Sequence, residues 1–544
     1  MGNIFKSLYS KAKNWPVLTC IILGLILALP GFLGIAIPER DCASRYIPMT
    51  KAFAQGDWVN AFHARFPPLT YLFSGVLAWL GCSAFKAMQL SSLFFWLAGL
   101  YPLSKLCQRL FSKENAWYAC LIYLFCSKLL GLSFSGLRAT TKSFSILLLG
   151  WGLVYVYQKR NSWKGYLITS LAAAGLFLTR GDSAIFAIFG LVTAIFLNIR
   201  HNRKFSIPFK SAITSALTLL LISPWVLFVY NTTGYPTTEF RLSSLTDKIV
   251  QKVGLQGLYN KNAKPGLPNK SKPAISDKKY KPISIGPSRI TKPLKGITFT
   301  ARTFKGLFHV FFIFACIAII FRIKRKTWTA AESIILVFFL FHTLLSVLQV
   351  AIMYKMLYTD VRYLISATPL MFGWTVIGME LVWKQINRTF SKAQMVHVRR
   401  ITLISFIIGG CLLYASGLSQ LKKFYIKYPQ KAKHINLASA ELQKLSPPVK
   451  FSTSSPQPID KYRINSKYSV ACSQSRAAVL AGYRWQCILN LDSIEDINYY
   501  RSSDIKFLIL KDSEQSLIKN NPFKAVYKSS GLIDNFTIYE IDKK

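Results

Sequence analysis

Acidic side chains are what this 544-residue chain has least of. Asp and Glu together number 22 against 68 Lys and Arg, a formal net charge of +46. Charged residues of both signs make up only 17% of the chain, while aromatic residues reach 14% and hydrophobic residues 52%. So little charge with so much apolar surface excludes an ordinary water-soluble protein of this size. Repeated apolar runs of about 17–22 residues argue instead for a multi-span helical membrane protein. A strongly basic chain raises nucleic acid as a partner, but no RNA- or DNA-binding motif is present. The basic residues are spread over loops, as they are where a membrane protein meets the cytoplasm and its anionic lipid headgroups. The 10 cysteines form no CxxC zinc pattern. Cys20, Cys126 and Cys411 lie inside apolar runs and read as packing residues. Cys472 and Cys487 lie in the polar C-terminal part, as a pair if that part is exported or as free thiols. No small-x-small cleavage site follows the first apolar run, which therefore reads as an uncleaved span.

What the chain does have is a regular alternation of apolar runs and basic loops. Lys6, Lys11 and Lys13 precede span 15–37. The positive-inside rule then puts the N-terminus in the cytoplasm and residues 38–66 outside. Residues 42–54 mix apolar and polar positions at helical spacing, which predicts a helix lying on the outer surface. The run 66–80 is only about 15 residues and opens on Pro67-Pro68, so it reads as partly inserted. If it does not cross, the basic loops 105–113, 158–164, 198–204, 322–326 and 384–400 all fall inside. Further spans are expected near 85–104, 115–133, 142–157, 165–180, 183–199, 211–230, 304–321, 331–354, 363–383 and 401–418, about eleven in all. The outer face then carries the loops 38–66, 134–142 and 231–303, and the tail. The loop 231–303 is rich in Lys, Pro, Gly and Ser; it reads as a solvated loop or as a cover that attracts phosphorylated lipids. The expected division is a transmembrane domain over 1–420 and a small extracytoplasmic α/β domain over 421–544. In the latter, strands are predicted at 449–452, 506–510 and 537–541, and helices at 435–445 and 514–519. The tail has no nucleophile elbow, phosphate loop or metal cluster, and reads as a structural or acceptor-positioning cap.

Against this scarcity of acids, one short stretch stands out. Glu39-Arg40-Asp41-Cys42-Ala43-Ser44-Arg45-Tyr46 sets two carboxylates and two guanidiniums at the mouth of span one. A carboxylate there is pushed toward its neutral form by low-dielectric surroundings and toward its charged form by Arg40 and Arg45. Such a poised group suits proton abstraction from a hydroxyl. Asp41 is equally placed to be the N-cap of the surface helix. Arg45, one helical turn on, suits a bidentate grip on phosphate or a surface ion pair with Asp41 or Glu39. Asp57 in Gly56-Asp57-Trp58 is a substrate-binding candidate or a turn residue, with Trp58 as interfacial anchor. His63 is a substrate contact or an exposed loop residue. Arg138, Lys142, Arg180, Asp182, Lys355, Asp360 and Arg362 lie at the outer ends of spans. Each reads alone as an interfacial anchor or snorkelling side chain, and Arg180 and Asp182 as a pair across a tight turn. Together their cations make an anion-binding rim.

In order and spacing these motifs resemble the GT-C membrane glycosyltransferases, particularly the bacterial branch of protein O-mannosyltransferases and the lipid A aminoarabinose transferase. The resemblance is carried by residues 39–46, by Gly56-Asp57-Trp58, and by His63-Ala64-Arg65-Phe66-Pro67-Pro68-Leu69-Thr70-Tyr71. It continues in Gly175-Leu176-Phe177-Leu178-Thr179-Arg180, Ser223-Pro224-Trp225 with Asn231, Gly234 and Pro236, and Arg362-Tyr363-Leu364 with Pro369. The resemblance implies a multi-pass protein of the cell membrane that takes sugar from a polyprenyl-phosphate donor. It gives that sugar to a lipid, glycan or protein acceptor outside, usually with inversion, and involves no nucleic acid. It implies Asp41 as base, and Glu39, Arg45, Asp57, His63, Arg138, Lys355 and Arg362 as substrate-binding residues. Departures matter. The loop Phe134-Ser135-Gly136-Leu137-Arg138-Ala139-Thr140-Thr141 lacks the second acid common in the family, the usual Asp-Glu is Asp41-Cys42, and Phe66 stands where Lys is often seen. One or two carboxylates are a sparse shell for a divalent cation, so no metal or other cofactor is expected. A transporter or flippase of lipid-linked glycans would place ionisable groups within the spans and show repeats. It and a non-catalytic relative are the alternatives.

Overall fold

The computed structural model describes residues 16–35, 38, 39, 41–62, 66–159, 162–199, 209–233, 307, 308, 310–354, 361–389 and 392–418. In the tail it describes 437, 438, 440, 441, 444, 469–472, 484–486, 505–511, 523–528 and 536–541. Most of the loop 231–303, and all of His63, Lys355, Asp360, Cys487, the strand expected at 449–452 and the helix expected at 514–519, lie outside these residues.

Helices stand at the expected spans. They are α1 (Pro16–Gly34), α2 (Ile47–Ala54), α3 (Trp58–Ala61), α4 (Leu69–Trp79), α5 (Ala84–Ala98), α6 (Leu100–Leu110), α7 (Lys113–Phe125), α8 (Ser127–Ser133) and α9 (Ala139–Gln158). Then come α10 (Trp163–Thr179), α11 (Ala184–Ile199), α12 (Phe209–Thr233), α13 (Val310–Lys324), α14 (Ala330–Tyr354), α15 (Val361–Leu364), α16 (Phe372–Thr389) and α17 (Lys392–Gly417). Among the described residues, five segments are long and apolar enough to cross a bilayer by themselves: Val17–Gly34, Ala84–Leu110, Ala139–Gln158, Phe209–Asn231 and Ala330–Leu348. A sixth is the pair α7 and α8, bent by 65°. The segment expected to insert only partly is α4, with 11 residues.

Two expected spans are broken, and each break has a local cause. The span 115–133 bends at Cys126, whose ψ of 94° is extended and ends α7. The span 363–383 is interrupted by a 3-10 turn over Thr368–Met371. Pro369 lacks an amide hydrogen and restricts the residue before it, so α15 cannot run on into α16. The loop expected at 134–142 is shorter than predicted, because α9 begins at Ala139.

The core is built around α9, which packs against α5, α6, α8, α10, α11 and α14. A helix surrounded by protein in a membrane must let neighbours approach closely, and small residues do this. A Cβ at Gly152 would lie 2.7 Å from Thr169 Oγ1 on α10, and one at Gly150 would meet Leu370 and Ile335. Gly378 of α16 lies against the Phe314 carbonyl of α13. At the end of the bundle expected in the cytoplasm, Glu332 is wholly buried and accepts from Arg322 Nε at 2.7 Å and Nη2 at 2.9 Å. It also accepts from Trp374 Nε1 at 3.0 Å and from the Thr329 amide at 2.9 Å. This clasp joins α13, α14 and α16, and Thr329 to Glu332 forms a capping box. Cys20 and Cys126 are packed as expected, but Cys411 is exposed on α17.

The tail forms a five-stranded sheet: β1 (Ser469–Cys472), β2 (Arg484–Gln486), β3 (Ile505–Lys511), β4 (Lys524–Lys528) and β5 (Phe536–Glu540), in the order β2-β1-β3-β5-β4. β1 is parallel to β2 and β3, while β5 is antiparallel to β3 and β4. Two predicted strands, 506–510 and 537–541, are β3 and β5. The short or polar β1, β2 and β4 carry little apolar signal and are missed.

Candidate functional site

The chain leaves α1 and turns directly into the acidic stretch. The Ala43 amide bonds to the Glu39 carbonyl at 2.8 Å, so helical winding starts before Asp41. Cys42–Tyr46 then wind as a π-helix, closed by the Ile47 amide on the Cys42 carbonyl five residues back, and α2 follows. Such single wide turns inside helices are frequent at functional sites. Asp41 has helical dihedrals and makes no side-chain capping bond. The cap reading therefore fails, because the carboxylate points away from the helix's own amides.

It points instead at two guanidiniums. Asp41 Oδ2 accepts from Arg362 Nη1 at 3.1 Å, across 321 residues of chain, and Oδ1 lies 3.9 Å from Arg45 Nη1. The three side chains are 38%, 42% and 40% exposed. The surface-pair reading of Arg45 holds in this state, and its guanidinium also lies 5.3 Å from the centre of the Phe66 ring. All three side chains reach the surface.

A second, buried tier lies beneath. Arg138, at the start of α9, stacks 4.8 Å from Tyr46 and 5.6 Å from Phe66, and donates to the Thr179 carbonyl at 3.0 Å. Its Nε makes no hydrogen bond among the described residues. Lys142, in the first turn of α9, sits 3.6 Å from Asp182 Oδ2. Arg180 Nε donates to Asp182 Oδ1 at 2.8 Å, and its guanidinium covers Tyr363 at 4.6 Å. Burial acts to raise the Asp182 carboxyl, but Arg180 and then Lys142 outweigh it and hold the group below the usual carboxylate range. The expectation of anchors or snorkelling side chains is overturned for Arg138, Lys142 and Asp182, which are only 7%, 2% and 2% exposed. The Gly181–Ser183 turn after α10 brings Asp182 to Lys142 in the first turn of α9. The Arg180–Asp182 pair across that turn is present as expected.

Cys42 and Gly136 meet closely beside the site. Gly136 has φ +72°, and a Cβ there would lie 2.7 Å from Cys42 Sγ. The loop before α9 thus closes on the stretch after α1 through Gly136 and Cys42. Burial, then the nearby Glu39 and Asp41 carboxylates, push the Cys42 thiol far above its ordinary range, so it is no nucleophile. Asp57 stands in the turn after α2, its amide on the Ala52 carbonyl and its carbonyl accepting from Ala61. The structure therefore brings together Asp41, Arg45 and Arg362, with Arg138 behind Tyr46, and places Asp57 in the turn after α2. Tyr46, Tyr363 and the buried Asp182 were not singled out as binding residues. The signal available was their position beside or between candidate cations. His342 is buried in α14 against Phe186 at 4.4 Å, and among the described residues neither ring nitrogen has a hydrogen-bond partner.

Among the described residues no three His, Cys, Asp or Glu side chains converge, and the oxygens of Asp41 already face cations. The cations suit an anion, and the carboxylate suits a hydroxyl proton.

No family model matches the sequence, and no curated protein matches it. Solved structures do match its fold. ArnT from Cupriavidus metallidurans in the apo state superposes with a TM-score of 0.60 at 11% identity, over 98% of this chain and 99% of that one. The same protein bound to undecaprenyl phosphate gives 0.61 at 11% identity, over 98% of each chain. The archaeal oligosaccharyltransferase AglB from Archaeoglobus fulgidus, in complex with an inhibitory peptide and a dolichol-phosphate, gives 0.51 at 11% identity. It covers 93% of this chain and 70% of that one.

Proposed function

From the GT-C fold, which the chain shares with these membrane glycosyltransferases, we propose that it moves a sugar from a polyprenyl-phosphate donor to an acceptor outside the cytoplasm, with Asp41 as general base. The observation that carries this is the half-exposed Asp41 carboxylate at the mouth of α1, flanked by Arg362 and Arg45. In the reaction the Asp41 carboxylate takes the proton of the acceptor hydroxyl as its oxygen attacks the anomeric carbon. The bond from that carbon to the phosphate oxygen breaks, and the lipid phosphate leaves with one more negative charge. Attack opposite the leaving group inverts the anomeric configuration.

Arg45 and Arg362 meet the developing charge, and fixed cations in a partly dry site stabilise it more than water does. Arg138 adds positive potential from behind Tyr46. Glu39, Asp57, His63 and Lys355 complete the proposed substrate-binding set. The ligands of the two structural neighbours, undecaprenyl phosphate in ArnT and dolichol-phosphate in AglB, support a lipid phosphate as the donor's leaving group. The N-terminus is assigned to the cytoplasm and the tail to the outside of the cell membrane, following the basic loops. No metal is given a role.

The test is Asp41→Asn assayed in membranes with a labelled polyprenyl-phosphate sugar. Full transfer by a normally folded Asp41→Asn protein sinks the mechanism.

A further inference from the structure

The helix that carries Arg362 is one turn long. Within α15 the Ile365 amide reaches the Val361 carbonyl, and Ser366 Oγ reaches the Arg362 carbonyl, but so short a helix has little means of holding its own orientation. Its direction is therefore set by its side chains. Leu364, Ile365 and Ser366 are buried beneath it. Arg362 and Tyr363 are neighbours on the turn and point about 100° apart. Arg362 meets Asp41, while the Tyr363 ring is covered by the Arg180 guanidinium at 4.6 Å, with Lys142 Nζ at 5.9 Å. Arg180 is in turn fixed by its Nε bond to Asp182.

We propose that Asp182 is a positioning residue for the Asp41–Arg362 pair, acting through Arg180 and Tyr363. It pairs with the buried Lys142 and the mostly buried Arg180, and Arg138 lies nearby. With its charge removed these cations repel, and Arg180, whose side chain is 23% exposed, has water to move toward. The face of Tyr363 is then uncovered, and α15 loses the contact that sets Arg362 against the base. Asp182 touches neither Asp41 nor Arg362 in this arrangement. The link to catalysis rests on the reading of Asp41 as base, whereas the mechanical coupling does not.

The experiment uses the full-length protein in lipid nanodiscs. Amide exchange of the peptide 361–371 is compared with that of the α9 peptide 146–154 in wild type, Asp182→Asn, Asp182→Glu and Arg180→Lys. Asp182→Asn raises exchange at 361–371 several-fold and leaves 146–154 unchanged, and Asp182→Glu restores most of the protection. Arg180→Lys keeps a cation for Asp182 but loses the planar face over Tyr363. It also raises exchange, so it carries the test if Asp182→Asn fails to accumulate. In single-turnover transfer, Asp182→Asn lowers the rate at saturating donor about tenfold while the half-saturating donor concentration stays within about twofold. In an Arg362→Gln background it lowers the rate no further. Unchanged exchange at 361–371 in a folded variant overturns the coupling. A wild-type rate in Asp182→Asn, or losses that multiply with Arg362→Gln, overturn the catalytic link. A wild-type protein that moves no sugar sinks the glycosyltransferase reading instead, and the exchange result alone then decides the coupling.

Discussion

Asp41 is held by two guanidiniums of unequal grip, and the difference predicts their roles. Arg362 donates directly at 3.1 Å, whereas Arg45 stands off at 3.9 Å against the Phe66 ring. Arg362→Lys keeps the charge but loses the planar fork, so donor kcat/KM is expected to fall about tenfold or more in a transfer assay. A wild-type value for Arg362→Lys would reduce its role to charge alone. Gly136 makes a sharper case. Ala there meets a left-handed backbone and the Cys42 sulfur at once, and the backbone part alone costs about 1–2 kcal/mol. Gly136→Ala is expected to lower the thermal midpoint and the activity, and Cys42→Gly in the same chain to recover part of both. Asp182 brings a sign with pH. Because its folded-state carboxyl is held below the usual range, the stability it provides is present above the unfolded value near 4 and lost only in stronger acid. Activity lost between pH 7 and about pH 5 is therefore assigned to other groups.

Among elements, the clasp of Arg322, Glu332 and Trp374 does for one end of the bundle what the Asp182 cluster does for the other. Arg322→Met strands a wholly buried carboxylate and is expected to destabilise by about 3–5 kcal/mol, read as a lowered melting midpoint in detergent. Arg322→Met with Glu332→Leu should recover much of that loss, since no charge is then left buried. The partners of Glu332 were not legible in the sequence, because Trp374 lies 42 residues away. The same holds at the site. The composition around Asp41 pointed to chemistry, and the helix over 42–54 lies where apolar spacing put it. That Arg362 meets Asp41 across 321 residues depends on how α9, α10 and α15 pack, which no local pattern records. Lys142 and Asp182 looked like edge charges because sequence gives the depth of a residue along a span but not the direction it faces.

For the whole molecule, the alternation of apolar runs and basic loops carried most of the architecture. It placed the helices and the short α4, and failed chiefly where a proline or an extended residue broke a span. Reporter fusions at residues 60, 110 and 250 are expected to read outside, inside and outside. A cytoplasmic signal at 60 or 250 would overturn the orientation. The π turn at Cys42–Tyr46 also has a consequence for chain length. It takes up one residue that a regular helix would not, so losing a residue there need not unfold anything: the turn would tighten to an α-helix and leave the residues on either side near their original phase. The same single-codon deletion inside α2 would instead rotate one flank against the other by about 100°. The stretch between Asp41 and α2 is thus the place where the chain can change its length by one residue while the carboxylate keeps its direction.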